Sequence, residues 1–406
     1  MVKIDVENLE SNKKEYLNSI KDDVIVMLQD LKLSLSHLSD SALIKECDIV
    51  KVKIFTREVV NIVVFPKLDS KDFNKPNYIV TVTNYKKGAT RLCTIDFDNL
   101  ISFIDFLLID KAKTLDNLLT GNPECILDIN NSLISKFKLN ETELQVLKLG
   151  LSYDSDVGPK IRAFFHSKNF TVFCPYCNLA RARHSRNNDT GALVESYQLD
   201  HFYSQKDHPL LSLSLFNLVP CDSTCNVTNK GKIRFTQDMH LNPYVAGFKR
   251  DFVFVPILDE NEGQIIEIEL KINVERSSQS WKKLIGDCDK INMTKENGNL
   301  NVFQILSKYN CEDVYFQMGQ LMKTFHRTAK NCGSIKELLE LVENNRNDSF
   351  QNVLSWYEES ARTAFFSKDF GKFAYSKLYR DLLDYVFQSY TEEPHKKVSE
   401  ILKSNY

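Results

Sequence analysis

Two stretches decide the reading of this chain: QLDHFYSQKDHPLLSLSLFNLVPCDSTCN, residues 198–226, and FCPYCN, residues 173–178. Cys174 and Cys177 stand at CxxC spacing, a turn that lets two thiolates reach one tetrahedral ion. A second pair follows in PCDSTCN, at Cys221 and Cys225. Four cysteines in two close pairs predict a structural zinc site held by Cys174, Cys177, Cys221 and Cys225. The second pair is one residue longer than the first, and Asp222 occupies the position that CxxC spacing requires. A carboxylate also ligates zinc, so Asp222 competes with Cys221, and Cys221 is favoured because thiolate is the better ligand. The other six cysteines, Cys47, Cys93, Cys125, Cys288, Cys311 and Cys332, are scattered and read as core residues.

Between the pairs lies the chemistry. Asp200-His201 falls at the end of a strand expected over 197–199, Asn217 follows in FNLVP, and Asn226 comes just beyond Cys225, where a helix is expected to begin. Phosphodiester hydrolysis needs a base to take a proton from water, and a neutral imidazole suits that task. It also needs a cation to stabilise charge on the phosphorane and leaving oxygen. Asp200 offers a carboxylate and Asn226 an amide oxygen, the hard donors that such a cation prefers.

These residues resemble the HNH family of ββα-metal nucleases, on the run CPYC, DH, NLVPC, CN and the Lys-rich Asn229-Lys230-Gly231-Lys232. The resemblance implies His201 as general base and Asp200 as a metal ligand. It implies Asn217 as the residue that ties the loop and orients the histidine, and Asn226 as the last, metal-coordinating position. The site is then an H-N-N variant with oxygen ligands, which favours Mg²⁺ or Mn²⁺. Flanking stretches, IRAFFHSKNFTVFCPYCN before and HLNPYVAGFKRDFVFV after, are similar to HNH proteins of bacterial anti-phage defence, such as Septu-type systems. In that group the nuclease often works beside an ATPase. The likeness is specific over about 161–255, weak beyond and absent before.

Working outward, residues 158–250 carry 12 Lys/Arg and 6 Asp/Glu, a formal +6 inside a chain whose net charge is −2. A basic middle is the footprint of a polyanion-binding surface. Arg181, Arg183 and Arg186 follow the first cysteine pair, and Lys230, Lys232 and Arg234 follow the second. All six are expected on the phosphate backbone of DNA, and the resemblance to ββα-metal nucleases, which make mainly phosphate contacts, implies low sequence specificity. His208 follows a second Asp and is read as a loop residue, His184 and His240 as surface or structural, and Asn229 as a weaker competitor to Asn226.

Residues 1–156 read as a separate α+β domain without a catalytic signature. A long amphipathic helix is expected over 9–38, strands over 51–65, 77–85 and 91–97 with a turn at Lys86-Lys87-Gly88, and a helix over 98–110 capped by Asp98. Residues 157–250 form the zinc-stabilised HNH module. Residues 251–406 begin with a strand pair, DFVFVPIL and IIEIELKI, turning at Asn261-Glu262-Gly263. Helices follow over 280–291, 302–330, 335–342 and 350–383, with Pro394 beyond them. The fold class is therefore α+β, with a small ββα-metal module between an N-terminal α+β domain and a mainly helical C-terminal region. With no signal-peptide pattern and no apolar run of spanning length, a cytoplasmic protein with no membrane partner is expected. DNA is the expected partner, with an ATPase or another defence-system subunit beside it. Two readings compete: a zinc-stabilised nucleic-acid-binding module without catalysis, and an RNA-cleaving nuclease.

Overall fold

The structure is a computed structural model. It describes residues 1–4, 6, 9–40, 62–64, 78–82, 94–109, 113–153, 157–168, 170–182, 185–186, 190, 193–194, 197–247, 250–260, 264–286, 298–331 and 367–390. The described residues mix helices with small antiparallel sheets. They divide into two compact units, neither continuous in sequence. One, the helical unit, comprises Glu7–Lys168 and His201–Val219. The other, the cysteine unit, comprises Met1–Val6, Asn169–Asp200 and Pro220–Tyr406. Among the described residues no helix is long and apolar enough to cross a membrane.

The helical unit is organised by the helix Leu9–Asp40. Tyr16, Ile20, Val24, Met27, Leu28, Leu31 and Leu35 recur at helical spacing and are all buried, the stripe that lets a helix face a core. The helices Phe97–Leu108, Glu141–Gly150 and Val157–Lys168 pack on it. Gly150 is needed there, because a Cβ at that position would lie 2.5 Å from Leu31 Cδ2. The helix Phe97–Leu108 is capped by Asp96, whose carboxylate accepts the Asn99 N–H at 3.0 Å. Asp98, the expected cap, lies in the first turn instead. A cap must precede the first helical residue for its side chain to reach back to an unpaired N–H. Asn140 and Glu143 form a reciprocal capping box, at 3.0 Å from Glu143 N to Asn140 Oδ1 and 2.8 Å from Asn140 N to Glu143 Oε2.

Strands Ile62–Val64, Tyr78–Val82 and Thr94–Ile95 form an antiparallel sheet in that order, with Ile62 opposite Val82 and Tyr78 opposite Ile95. They fall inside the strands expected from the β-branched runs. The rest of those runs and the Lys86-Lys87-Gly88 turn lie outside the described residues.

In the cysteine unit, Phe252–Leu258 and Ile265–Ile272 form the expected hairpin, with Phe252 opposite Ile272 and Pro256 opposite Ile268. Phe252, Phe254 and Pro256 alternate inward along the first strand, as a half-buried strand requires. The helices Glu312–Asn331 and Ser376–Tyr390 pack on this hairpin. A buried ion pair pins the second of them: Lys377 Nζ meets Asp381 at 2.6 Å and donates to the Phe252 carbonyl at 2.9 Å, while Asp381 accepts the Phe254 N–H at 2.9 Å. The helix expected over 302–330 is interrupted, as Asn299–Val302, Ile305–Tyr309 and Glu312–Asn331. The turn at Asn261-Glu262-Gly263, the helix over 335–342, most of that over 350–383, and Pro394 lie outside the described residues.

Candidate metal centre and candidate active site

The first cysteine pair sits in a tight turn. The Cys174 N–H donates to Ala180 O at 2.8 Å, and the Asn178 N–H donates to Cys174 O at 2.7 Å. Asn178 adopts a left-handed φ of 54°, a conformation asparagine tolerates better than most residues. Its side-chain amide donates to Phe370 O at 2.9 Å and Phe373 O at 3.0 Å. The distant segment 370–376 therefore holds the turn shut.

Cys174, Cys177 and Cys225 come together here, with their sulfurs all within 4.8 Å of one another and all three buried. Burial pushes the Cys174 thiol well up, while hydrogen bonds from Cys174 and Cys225 hold Cys177 well below the usual thiol range. Lys308 Nζ lies 3.2 Å from Cys225 Sγ. Burial works against that ammonium, but the charge of Cys225 and Cys177 outweighs it and raises its pKa. Three converging sulfurs with a compensating cation fit a zinc ion, which would displace the shared protons.

Cys221 is not in that set. It is fully buried at the end of Leu218–Cys221, accepts the backbone N–H of Asp200, and is pushed up first by burial and then by the Asp200 charge. Asp222 is turned into its own loop, accepting the N–H of Thr224 at 2.9 Å and of Cys225 at 3.3 Å.

Asp200 lies in the same unit and is 4% exposed. Both of its oxygens meet Lys230 Nζ at 2.7 Å, and Oδ2 also accepts the Tyr176 hydroxyl at 2.6 Å. Tyr176 stacks on Phe303 with ring centroids 4.2 Å apart, and burial, then the Asp200 charge, push its phenol well up. Lys230 is itself 4% exposed and sits 4.6 Å from the Phe235 ring centroid. Two expectations change with this. Lys230 is not a surface cation for phosphate, because its charge is spent on Asp200. Asp200 does not present a free carboxylate to a second metal. Asn226 is half-buried and donates its amide to Gln198 Oε1 at 2.8 Å. As placed, Asp200 and Asn226 do not make a cation site.

Asn226 and Lys230 share the helical segment Thr224–Lys230, which begins at Thr224 rather than beyond Cys225. Its turn is wide, closed by Gly231 N to Asn226 O at 2.8 Å, five residues apart. Asn229 is buried and donates to Phe303 O at 3.0 Å. Arg181, Lys232 and Arg234 are exposed, whereas Arg183 and the side chain of Arg186 lie outside the described residues.

In the helical unit, His201 is half-buried with a defined ring orientation. Nε2 lies 2.8 Å from Ser212 O, and Tyr153 stands edge-on with centroids 5.5 Å apart. A carbonyl only accepts, so Ser212 O favours the proton on Nε2, while the Gln205 amide nitrogen lies 2.7 Å from Nε2 and 3.1 Å from Nδ1. The loop that offers Ser212 is tied by Asn217. The Asn217 side chain accepts the Tyr203 N–H at 2.7 Å and donates to Tyr203 O and Leu211 O, both at 3.0 Å. Tyr16 adds a hydroxyl to Leu213 O at 2.8 Å.

His208 is half-buried, 3.3 Å from the Asn130 amide, and burial lowers its pKa against the opposing charge of Asp207. His184 lies outside the described residues. His240 is structural: it is 4% exposed, stacked on Phe235 at 4.0 Å, and pulled down to about 4 by burial and then by Lys230.

Sequence reading missed Tyr176, Lys308, Gln205 and Ser212. Tyr176 lies inside the CPYC motif and was visible; Lys308 has no local signal, since it is 83 residues from Cys225. The chain matches no protein family, no curated protein and no solved structure.

Proposed function

We propose that this protein is an HNH-type endonuclease that hydrolyses phosphodiester bonds of DNA with low sequence specificity, as an effector of bacterial anti-phage defence. The observation that carries the reading is the histidine with its tied loop. Asn217 fixes the loop with three hydrogen bonds, and the loop gives His201 a carbonyl partner at Nε2. A neutral imidazole held in one tautomer is what a general base requires. His201 Nδ1 takes the proton from the attacking water, and the Gln205 amide that approaches it in the substrate-free protein yields that place. Ser212 O holds the opposite ring nitrogen and stabilises the imidazolium that forms. The order strand, strand, helical segment around the cysteines supports the same assignment. Exposed Arg181, Lys232 and Arg234 supply phosphate contacts that carry no base information.

The expected Mg²⁺ or Mn²⁺ does not fit Asp200, because the Lys230 ammonium already neutralises it. No step is routed through that ion. This specific observation favours the second reading, a zinc-stabilised nucleic-acid-binding module without catalysis. One experiment separates the two: supercoiled plasmid incubated with the protein and Mg²⁺ or Mn²⁺, beside chelator and His201→Ala controls, with an RNA of similar length in parallel. Nicked or linear plasmid with wild type alone supports the nuclease. Retained DNA binding without cleavage supports the binding module, and cleavage of RNA alone redirects the substrate.

A further inference from the structure

Resting on the reading that this protein binds the phosphate backbone of DNA, we infer a second DNA contact on the short helix Gln279–Ile285 and Arg276, outside the cysteine-framed module. The helix is firmly seated within the cysteine unit. Ser278 caps it: its hydroxyl accepts the Trp281 N–H at 3.1 Å and donates to Glu275 O at 2.6 Å. Leu284 and Ile285 are buried, and the Asn301 amide donates to Ile285 O at 3.0 Å. Gly298 approaches so closely that a Cβ there would lie 2.4 Å from Leu284 O. This seating leaves Gln279 and Lys282 exposed, with Trp281 and Lys283 half-buried.

The stretch 276–283, RSSQSWKK, holds three cations and no carboxylate. Arg276 is exposed, and its guanidinium carbon stands over the Trp281 ring, 5.6 Å from the centroid. The ring restricts the guanidinium, which then has less freedom to lose when it grips a phosphate. Gln279 joins this patch to the loop that follows the second cysteine pair, donating its amide to Asp238 O at 2.5 Å. That loop carries exposed Lys232 and Arg234. The two linked segments, 232–238 and 275–283, hold five Lys/Arg against the two carboxylates of Asp238 and Glu275, a formal +3 in a chain of net charge −2. A positive strip on anchored elements fits a polyanion. Duplex DNA is the occupant, bound through its backbone. A single strand binds best where an open aromatic face lets its bases stack, and here the indole is half-buried with Arg276 over it.

The test is binding of a short labelled DNA duplex by the full-length protein at a series of salt concentrations, without added Mg²⁺ or Mn²⁺ so that nothing is cut. Lys282→Ala combined with Lys283→Ala should weaken binding by about tenfold and flatten the dependence of log K on log salt by about 1.8, two lost phosphate contacts at about 0.9 each. Lys282→Arg combined with Lys283→Arg should bind as wild type does, and both double variants should unfold at the wild-type temperature. Wild-type affinity and slope in the alanine variant overturn the inference. A loss confined to single-stranded DNA or RNA overturns duplex as the occupant. Trp356→Phe leaves Trp281 as the one tryptophan of the chain. Its emission should change as duplex is added, and flat emission while DNA binds overturns the contact. No duplex binding by wild type overturns the inference and the DNA reading together. Binding that the alanine variant loses, beside a wild type that cuts no plasmid, upholds the inference and removes the nuclease alone.

Discussion

Asp200 and His201 are adjacent in sequence, yet their side chains are held by opposite means. Asp200 is buried and held by charge, with both oxygens on Lys230 and one on Tyr176. His201 is half-buried and held by neutral hydrogen bonds, from a loop that a single asparagine ties. A buried ion pair resists change because removing one partner strands the other. On the proposed reading the two divide the work: Asp200 holds the fold of the cysteine unit, and His201 is the proposed base.

The largest effect should come from the metal. On the proposal that Cys174, Cys177 and Cys225 hold zinc, chelation, or Cys174→Ser, should remove the fold of the cysteine unit, since a structural zinc contributes on the order of 10 kcal/mol. Limited proteolysis should then cut within 169–200 and 220–390 first; an unchanged digestion pattern after complete zinc removal would break the comparison at its base.

Next is the ion pair. Asp200→Asn and Lys230→Met should each destabilise by about 3–5 kcal/mol, because each leaves a buried charge unmatched. Asp200→Leu combined with Lys230→Met should recover most of that loss in urea denaturation. Were Asp200 instead a metal ligand, Asp200→Asn would leave stability nearly intact and abolish cleavage alone.

The loop is the third test. Asn217→Ala leaves the Tyr203 N–H and two buried carbonyls without their partner, a cost of about 2–4 kcal/mol. It should also lower cleavage by loosening Ser212; a variant that is destabilised yet cuts at the wild-type rate would detach the loop from the chemistry.

Much of this was legible because it is local. Cys174, Cys177 and Cys225 announce themselves by spacing, and the alternation in 252–258 and the stripe in 9–40 announce their elements. Asn217 could be recognised as a loop tie only through the resemblance to the HNH pattern. Lys230 was not legible. Sequence spacing assumes an ordinary helix, and the wide turn closing Asn226 to Gly231 is a tertiary outcome. The fates of Asp200, Cys221 and Lys308 were hidden for the same reason, because each depends on a residue distant in sequence or on which way a strand end turns.

The smallest expected effect on stability is a pH dependence. His240 has its pKa lowered from 6.5 to about 4. Its neutral form is therefore the folded form, and stability is full above about pH 6.5. It falls as pH drops from there towards 4, by up to about 3 kcal/mol. Urea midpoints measured from pH 7.5 to 4.5 should decline, and His240→Phe should flatten that slope; equal slopes would assign it to other groups.

The central claim is that His201 is the base of a DNA-cleaving reaction. The direct measurement is the single-turnover rate on duplex DNA for wild type and His201→Ala, with thermal unfolding of both. Loss of a general base predicts a rate lower by about 10²–10⁴ at an unchanged unfolding temperature. Equal rates for the two proteins, or no cleavage by wild type with either Mg²⁺ or Mn²⁺, would contradict it.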